Sequence, residues 1–199
     1  MTEIVGADIS YARPDPGSVK AAGYTFVMGY VSTSSSAKCL PVSYANRLRA
    51  AGLDVGLVFE NEANRALQGA AAGTADGKAA EAQANALGYP VTAGILAAVD
   101  FDVTVEWGAV GEYLRAFNLA TRRPVGPYGE RDVIERFVTP GSQPCQIGWQ
   151  TAAWSGGELS QKANLYQRVG HHHPLIPGIG ASDFDEDVLC KPFPFWGSA

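Results

Sequence analysis

The chain has 199 residues, 46% of them hydrophobic and 18% charged, a balance that suits one globular domain with a full core and excludes a disordered chain. The formal net charge is −5. With no basic stripe and no long apolar run, neither a nucleic-acid partner nor membrane insertion is expected.

The N-terminus, MTEIVGADIS, lacks a basic segment followed by a long apolar one, so no signal peptide is expected. Strand candidates follow at 4–10, 24–32, 54–60, 92–102, 123–129, 144–152, 164–170 and 182–188, each rich in β-formers or bounded by Gly, Pro or Asp. Helical segments lie between the earlier ones. Residues 14–23 carry prolines suited to a first turn, and 42–52 end on Gly52, a C-terminal stop. Over 74–88 the pattern puts Ala79, Ala82 and Ala86 on one side, with Asp76 as the N-cap. The Ala/Gly-rich stretch 68–86 reads as a loop opening into this small-residue helix. Residues 104–123 place Val110, Leu114 and Phe117 on one face and finish in Arg122 and Arg123, which suit a helix C-terminus. Residues 130–138 space Val133, Ile134, Phe137 and Val138 as a short amphipathic helix. Helical signals weaken after Gln150.

Strands alternating with helices predict a parallel sheet. Eight strand candidates in one domain, 1–199, predict a single compact (β/α)8 TIM-like barrel. An open doubly wound sheet is the alternative, but DISYARPDPG after the first strand offers no Gly-rich phosphate loop. The three cysteines, Cys39, Cys145 and Cys190, have no metal-ligand spacing and read as thiols, with one disulfide as the other option. His171, His172 and His173 are consecutive and precede Pro174, which argues for a turn rather than a metal site. No cofactor is expected.

In a parallel barrel the strands' C-terminal ends share the face that carries chemistry. Successive strands end in Asp8, Tyr30, Glu60, Asp100 with Asp102, Tyr128, Trp149 with Gln150, Gln167, and an acidic run of Asp183, Asp185 and Asp187. Alternation along a strand puts Asp100 and Asp102 on one side, their Cα atoms roughly 6–7 Å apart. Carboxyls that close raise one another's pKa, so the cluster is expected to hold a proton near neutral pH. A proton donor beside a carboxylate is what glycosidic cleavage requires. Aromatic faces at neighbouring strand ends would stack on sugars, and amides would bind hydroxyls.

Taken in order, VGADIS, YTFVMGYVS, ALGYPVTAGILAAVDFD, PVGPYGER, IGWQTAAWS, LYQRVG and DFDEDV resemble a glycoside-hydrolase-like domain of unknown function found in actinobacterial cell-wall proteins and phage lysins. That domain is similar to the family 25 lysozymes, and the resemblance covers nearly the whole chain. It implies a barrel acting on peptidoglycan glycan strands as a muramidase-like β-1,4 glycosidase. It implies catalytic acids at Asp8, Glu60, Asp100 and Asp102, with Asp102 standing where the lysozymes have a Glu proton donor. It also implies sugar contacts from Gln167 and Asp185, beside Tyr30, Tyr128, Trp149 and Gln150 from the strand ends. The shorter Asp102 leaves three readings: a hydrolase using Asp102 or Glu60 as donor, a barrel that binds glycan without cutting it, or a hydrolase whose acids hold a metal. Action at the cell wall after phage-mediated release is the expected setting.

Overall fold

The computed structural model describes residues 3–33, 36–142, 144–168, 170 and 173–197. Its centre is a closed eight-stranded barrel in simple sequence order. The strands are β1 (Val5–Asp8), β2 (Phe26–Val31), β3 (Asp54–Phe59), β4 (Ile95–Ala98), β5 (Val125–Gly129), β6 (Trp149–Thr151), β7 (Leu165–Gln167) and β8 (Asp185–Leu189). Seven fall inside the segments marked by β-formers and turn residues, and β8 runs one residue past the end of its segment, to Leu189. Among the described residues five α-helices cover the outside: α1 (Pro16–Ala21), α2 (Val42–Ala50), α3 (Gly69–Leu87), α4 (Trp107–Leu119) and α5 (Arg131–Phe137).

The barrel departs from a uniform (β/α)8 at its close. Among the described residues no α-helix separates β6 from β7, and only a 3-10 turn, Ala181–Asp183, lies between β7 and β8. β8 runs antiparallel to both β7 and β1, whereas the other neighbours pair in parallel. A parallel return needs a crossover, usually a helix, that carries the chain back to the other end of the sheet, and an antiparallel return needs only a loop. β8 therefore starts at the mouth, and its first residue, Asp185, pairs with the last residue of β1, Asp8.

Side-chain alternation sorts the core into two layers. Phe26, Met28, Tyr30, Val58, Leu96, Ala98, Trp149 and Leu165 fill the inside of the barrel. Val27, Val31, Val55, Leu57, Ile95, Ala97 and Val99 point outward to meet the helices. Helix starts and stops follow the expected chemistry in part. Asp15 caps α1 by accepting from the Ser18 N–H at 3.2 Å, with Pro16 in the first turn. Gly52 stands just past α2 with a left-handed φ of 78°.

The longest helix differs from expectation. α3 begins at Gly69, so the small-residue stretch is helix throughout, and Asp76 lies in its interior, fully buried. Asp76 caps nothing. It takes two hydrogen bonds from the Arg65 guanidinium, 2.8 and 3.0 Å, and one from the Tyr113 hydroxyl at 3.1 Å. The buried stripe is Ala72, Gly73, Asp76, Gly77, Ala80, Ala84 and Leu87, not Ala79, Ala82 and Ala86. Close approach of α4 is the reason. A Cβ on Gly73 would stand 2.2 Å from the Tyr113 carbonyl oxygen, and one on Gly77 would stand 2.5 Å from that of Phe117. Gly73 and Gly77 mark the points of closest approach on the packed face. In α4 the expected face holds, with Val110, Leu114 and Phe117 buried.

Among the described residues no helix is long and apolar enough to cross a membrane. Cys39, Cys145 and Cys190 are thiols. His171 and His172 lie outside the described residues. His173 Nδ1 stands 2.8 Å from Glu186 Oε2 on the outer side of β8.

Candidate active site at the barrel mouth

Asp8 is the centre of the mouth. It ends β1, is 4% exposed, and points inward because Ala7 and Ile9 on either side belong to the outer layer. Its Oδ2 accepts from the Tyr30 hydroxyl at 2.8 Å and from Gln167 Nε2 at 2.9 Å. Its Oδ1 is buried with no hydrogen-bond partner. Burial, more than anything else, pushes the Asp8 carboxyl up to about 7, with Asp185 and Glu60 adding in the same direction and Tyr30 and Lys38 opposing.

Gln167 is held at both ends. Its Nε2 donates to Asp8 while its Oε1 accepts from the Tyr128 hydroxyl at 2.8 Å. Burial first, then neighbouring carboxyls, raises both tyrosines, Tyr30 above all. Each therefore keeps its hydroxyl proton at neutral pH. Tyr128 and Trp149 pack with ring centroids 4.5 Å apart, and the Trp149 Nε1–H donates to Asp187 Oδ1 at 2.9 Å.

Asp187 is a site residue that the strand-end rule ranked with its neighbours but did not single out. It lies two residues below Asp185 on the inward side of β8 and is fully buried. Its Oδ2 has no hydrogen-bond partner, and burial, then Asp8, raises its pKa well above the ordinary value. The antiparallel strand carries this acid down into the barrel.

Glu60 and Asp100 form the other half of the mouth. Glu60 follows β3 and is ion-paired with Lys38, Oε1 to Nζ 2.6 Å. The same ammonium sits 4.1 Å from the centre of the Tyr30 ring. Lys38 comes from the loop after β2, where no motif marks it. Asp100 follows β4 in phase with the inward Leu96 and Ala98. Burial, with Glu60 next, raises its pKa, and Lys38 opposes.

Asp102 does not share that position. β4 ends at Ala98, the Asp100 N–H bonds to the Ala63 carbonyl at 3.2 Å, and the Val103 N–H is taken by the buried Glu130 carboxylate at 2.8 Å. The chain bends at Phe101, so two-residue alternation stops applying, and Asp102 is exposed beside Glu130 rather than facing inward with Asp100. Gln150 also lies elsewhere. It points out of the barrel wall, with Nε2 donating to the Glu158 carbonyl at 2.7 Å and Oε1 accepting from the Ser160 N–H at 2.8 Å. Its amide holds the β6–β7 loop. Asp185 stands exposed at the rim, close enough to Asp8 to raise its pKa. Asp183 caps its own turn through the Gly180 N–H at 2.6 Å. Among the described residues no group of three or more His, Cys, Asp or Glu side chains is placed to hold a metal ion.

The fold and site together define a closed barrel with a polar, acid-bearing mouth at its strand ends. The chain belongs to the Rv2525c-like, glycoside hydrolase-like domain family, which matches residues 18–189. The Tat-secreted protein Rv2525c of Mycobacterium tuberculosis, solved with L-tartrate, superposes with a TM-score of 0.84 at 22% identity, over 98% of this chain and 100% of that one. A family 25 glycosyl hydrolase from Bacillus anthracis gives 0.62 at 11% identity, over 96% and 90%. The modular autolysin LytC of Streptococcus pneumoniae, solved with a synthetic peptidoglycan ligand, gives 0.61 at 12% identity, over 94% of this chain and 46% of that one. These likenesses show a shared fold. No curated protein sequence matches.

Proposed function

We propose that the barrel takes peptidoglycan glycan strands at its mouth and hydrolyses a β-1,4 bond between N-acetylmuramic acid and N-acetylglucosamine. The observation that carries this reading is the pairing of acids with opposite tasks. Asp100 has a raised pKa, and beside it Glu60 is ion-paired with Lys38. A carboxyl whose charged form is disfavoured by burial, next to one ion-paired with a lysine, is the arrangement general acid catalysis on a glycoside needs. In this scheme Asp100 gives its proton to the leaving glycosidic oxygen. Glu60 faces the positive charge that develops on the sugar ring or activates the attacking water. Asp8, fixed by Tyr30 and Gln167, hydrogen-bonds the substrate through Oδ1, and Tyr128 lines the cleft. Because LytC was solved with a peptidoglycan ligand, a wall glycan is the substrate class to try first. Rv2525c is Tat-secreted, and action outside the cytoplasmic membrane is proposed here too, with phage-mediated release as the other route to the wall.

A second reading has its own observation. Asp102, at the lysozymes' donor position, has left the cluster, so the mouth could bind glycan without turnover. Purified protein incubated with actinobacterial cell walls decides between them. Hydrolysis predicts new reducing ends that disappear in Asp100→Asn and Glu60→Gln. Sedimentation with walls and no reducing ends, in wild type and variants alike, would establish the binding module instead.

A further inference from the structure

Trp154 is the one non-glycine among the described residues with a positive φ, 55°, and its side chain is 48% exposed. Each property is unfavourable by itself. L-residues with a bulky side chain rarely adopt this backbone conformation, and exposed indole leaves a large apolar area in water. Gly156 and Gly157 nearby adopt φ of 59° and 79°, so the turn is of a kind that glycine serves without strain. The sequence nevertheless has Trp at 154.

The turn is held firmly. It follows the mouth end of β6 by three residues. The Ser155 hydroxyl donates to the Thr151 carbonyl at 2.6 Å and accepts from the Arg131 N–H at 2.9 Å. Arg131 opens α5, directly after the mouth end of β5. The Glu158 N–H bonds to the Ser155 carbonyl at 3.0 Å, and Gln150 fixes the far side of the loop. Trp154 therefore stands on a braced loop that leaves the mouth end of β6, the strand that carries Trp149. Bracing in advance lowers the ordering cost when a ligand arrives. The other three tryptophans are spent on packing: Trp149 and Trp196 are buried, and Trp107 packs against Phe137 and Arg136.

We propose that Trp154 is a glycan-binding platform: its ring stacks on the apolar face of an N-acetylated pyranose at a subsite flanking the acid cluster. This rests on the proposed action at the mouth and adds the residue that fixes the strand's direction across it. The strain identifies the role, since a residue kept for stability would not be the residue its backbone disfavours.

The test uses the full chain and amidase-released glycan strands as the probe. Trp154→Gly, Trp154→Phe and wild type are compared by thermal melting and by affinity from calorimetry. Trp154→Gly is expected to melt at the same or a higher temperature and to bind glycan about tenfold more weakly, while Trp154→Phe keeps most of the affinity. Undiminished binding by Trp154→Gly, or a melting point lowered by several degrees, would overturn the platform and leave a packing role. If binding depends on Trp154 but no reducing ends ever form, the hydrolase reading falls and the platform stands. If reducing ends form and Trp154→Gly binds normally, the reverse holds. No binding by wild type overturns both.

Discussion

The two ends of the barrel treat buried groups in opposite ways. At the bottom, the segment after β8 folds under the strands as an aromatic plug. Phe195 packs on Phe26 and Phe193 with centroids 4.7 and 4.6 Å apart, and Trp196 exchanges two backbone hydrogen bonds with Val55, 3.0 and 2.9 Å. The Gly94 N–H finds the Pro194 carbonyl at 2.8 Å. At the mouth, Asp8 and Asp187 are buried with one carboxyl oxygen each lacking a partner, and both have raised pKa values. One end is closed with apolar rings and satisfied backbone. The other keeps costly acids buried, Asp8 and Asp187, which folding alone would not select. That contrast fits the proposal that the mouth is the working end and the bottom the stabilising one.

The largest expected effect breaks the bottom. Trp196→Ala should lower unfolding free energy by about 3–5 kcal/mol, read by urea denaturation, because a nearly buried ring leaves a cavity. A change below about 1 kcal/mol would remove the plug from the comparison.

Next comes the acid at the mouth. The folded pKa of Asp8 lies near 7 against an unfolded value near 3.8. Between those values the folded state binds more protons than the unfolded, so this carboxyl's contribution to stability falls as pH rises from about 4 to 7. Asp8→Asn removes that loss. The stability of the variant minus that of wild type should grow over this window, on the order of 3 kcal/mol at most. Urea melts at pH 4, 5.5 and 7 measure it, and a flat difference would show that Asp8 is an ordinary solvated acid.

Asp100→Asn should reduce reducing-end release from cell walls by about 10²-fold or more, with the stability unchanged or slightly higher because a carboxyl beside Glu60 is neutralised. Turnover equal to wild type would move the proton donor elsewhere. The smallest effect sharpens the comparison. Asp102→Asn should change stability by less than about 0.5 kcal/mol and leave turnover within a factor of two, since its carboxyl is exposed and outside the acid cluster. A large loss of turnover would restore Asp102 to the mechanism.

Much of this was legible in the sequence. The eight strands follow from β-formers bounded by Gly, Pro and Asp, and their number predicted the closed barrel. The rule that strand ends share one face brought Asp8, Tyr30, Glu60, Asp100, Tyr128, Trp149 and Gln167 together, and two-residue alternation, a local property of extended backbone, turned Asp100 inward. The same rule failed at Asp102, where the chain had already left the sheet to meet Glu130, a residue 28 positions away. The strand-end rule failed at Gln150, which alternation turns to the side opposite Trp149, where its amide holds the β6–β7 loop.

What only the tertiary structure decided depends on contacts distant in sequence. β8 returns antiparallel, with no crossover helix among the described residues before it, and that direction lowers Asp187 into the core and sets Asp185 opposite Asp8. Lys38 reaches Glu60 from a loop with no pattern, and Asp76 became a buried partner of Arg65 because α4 packs so close. Local periodicity determined which residues face inward. Chain closure, bends and long-range pairing decided which of those acids meet, since electrostatic coupling follows distance in space and carries no signature in the order of residues.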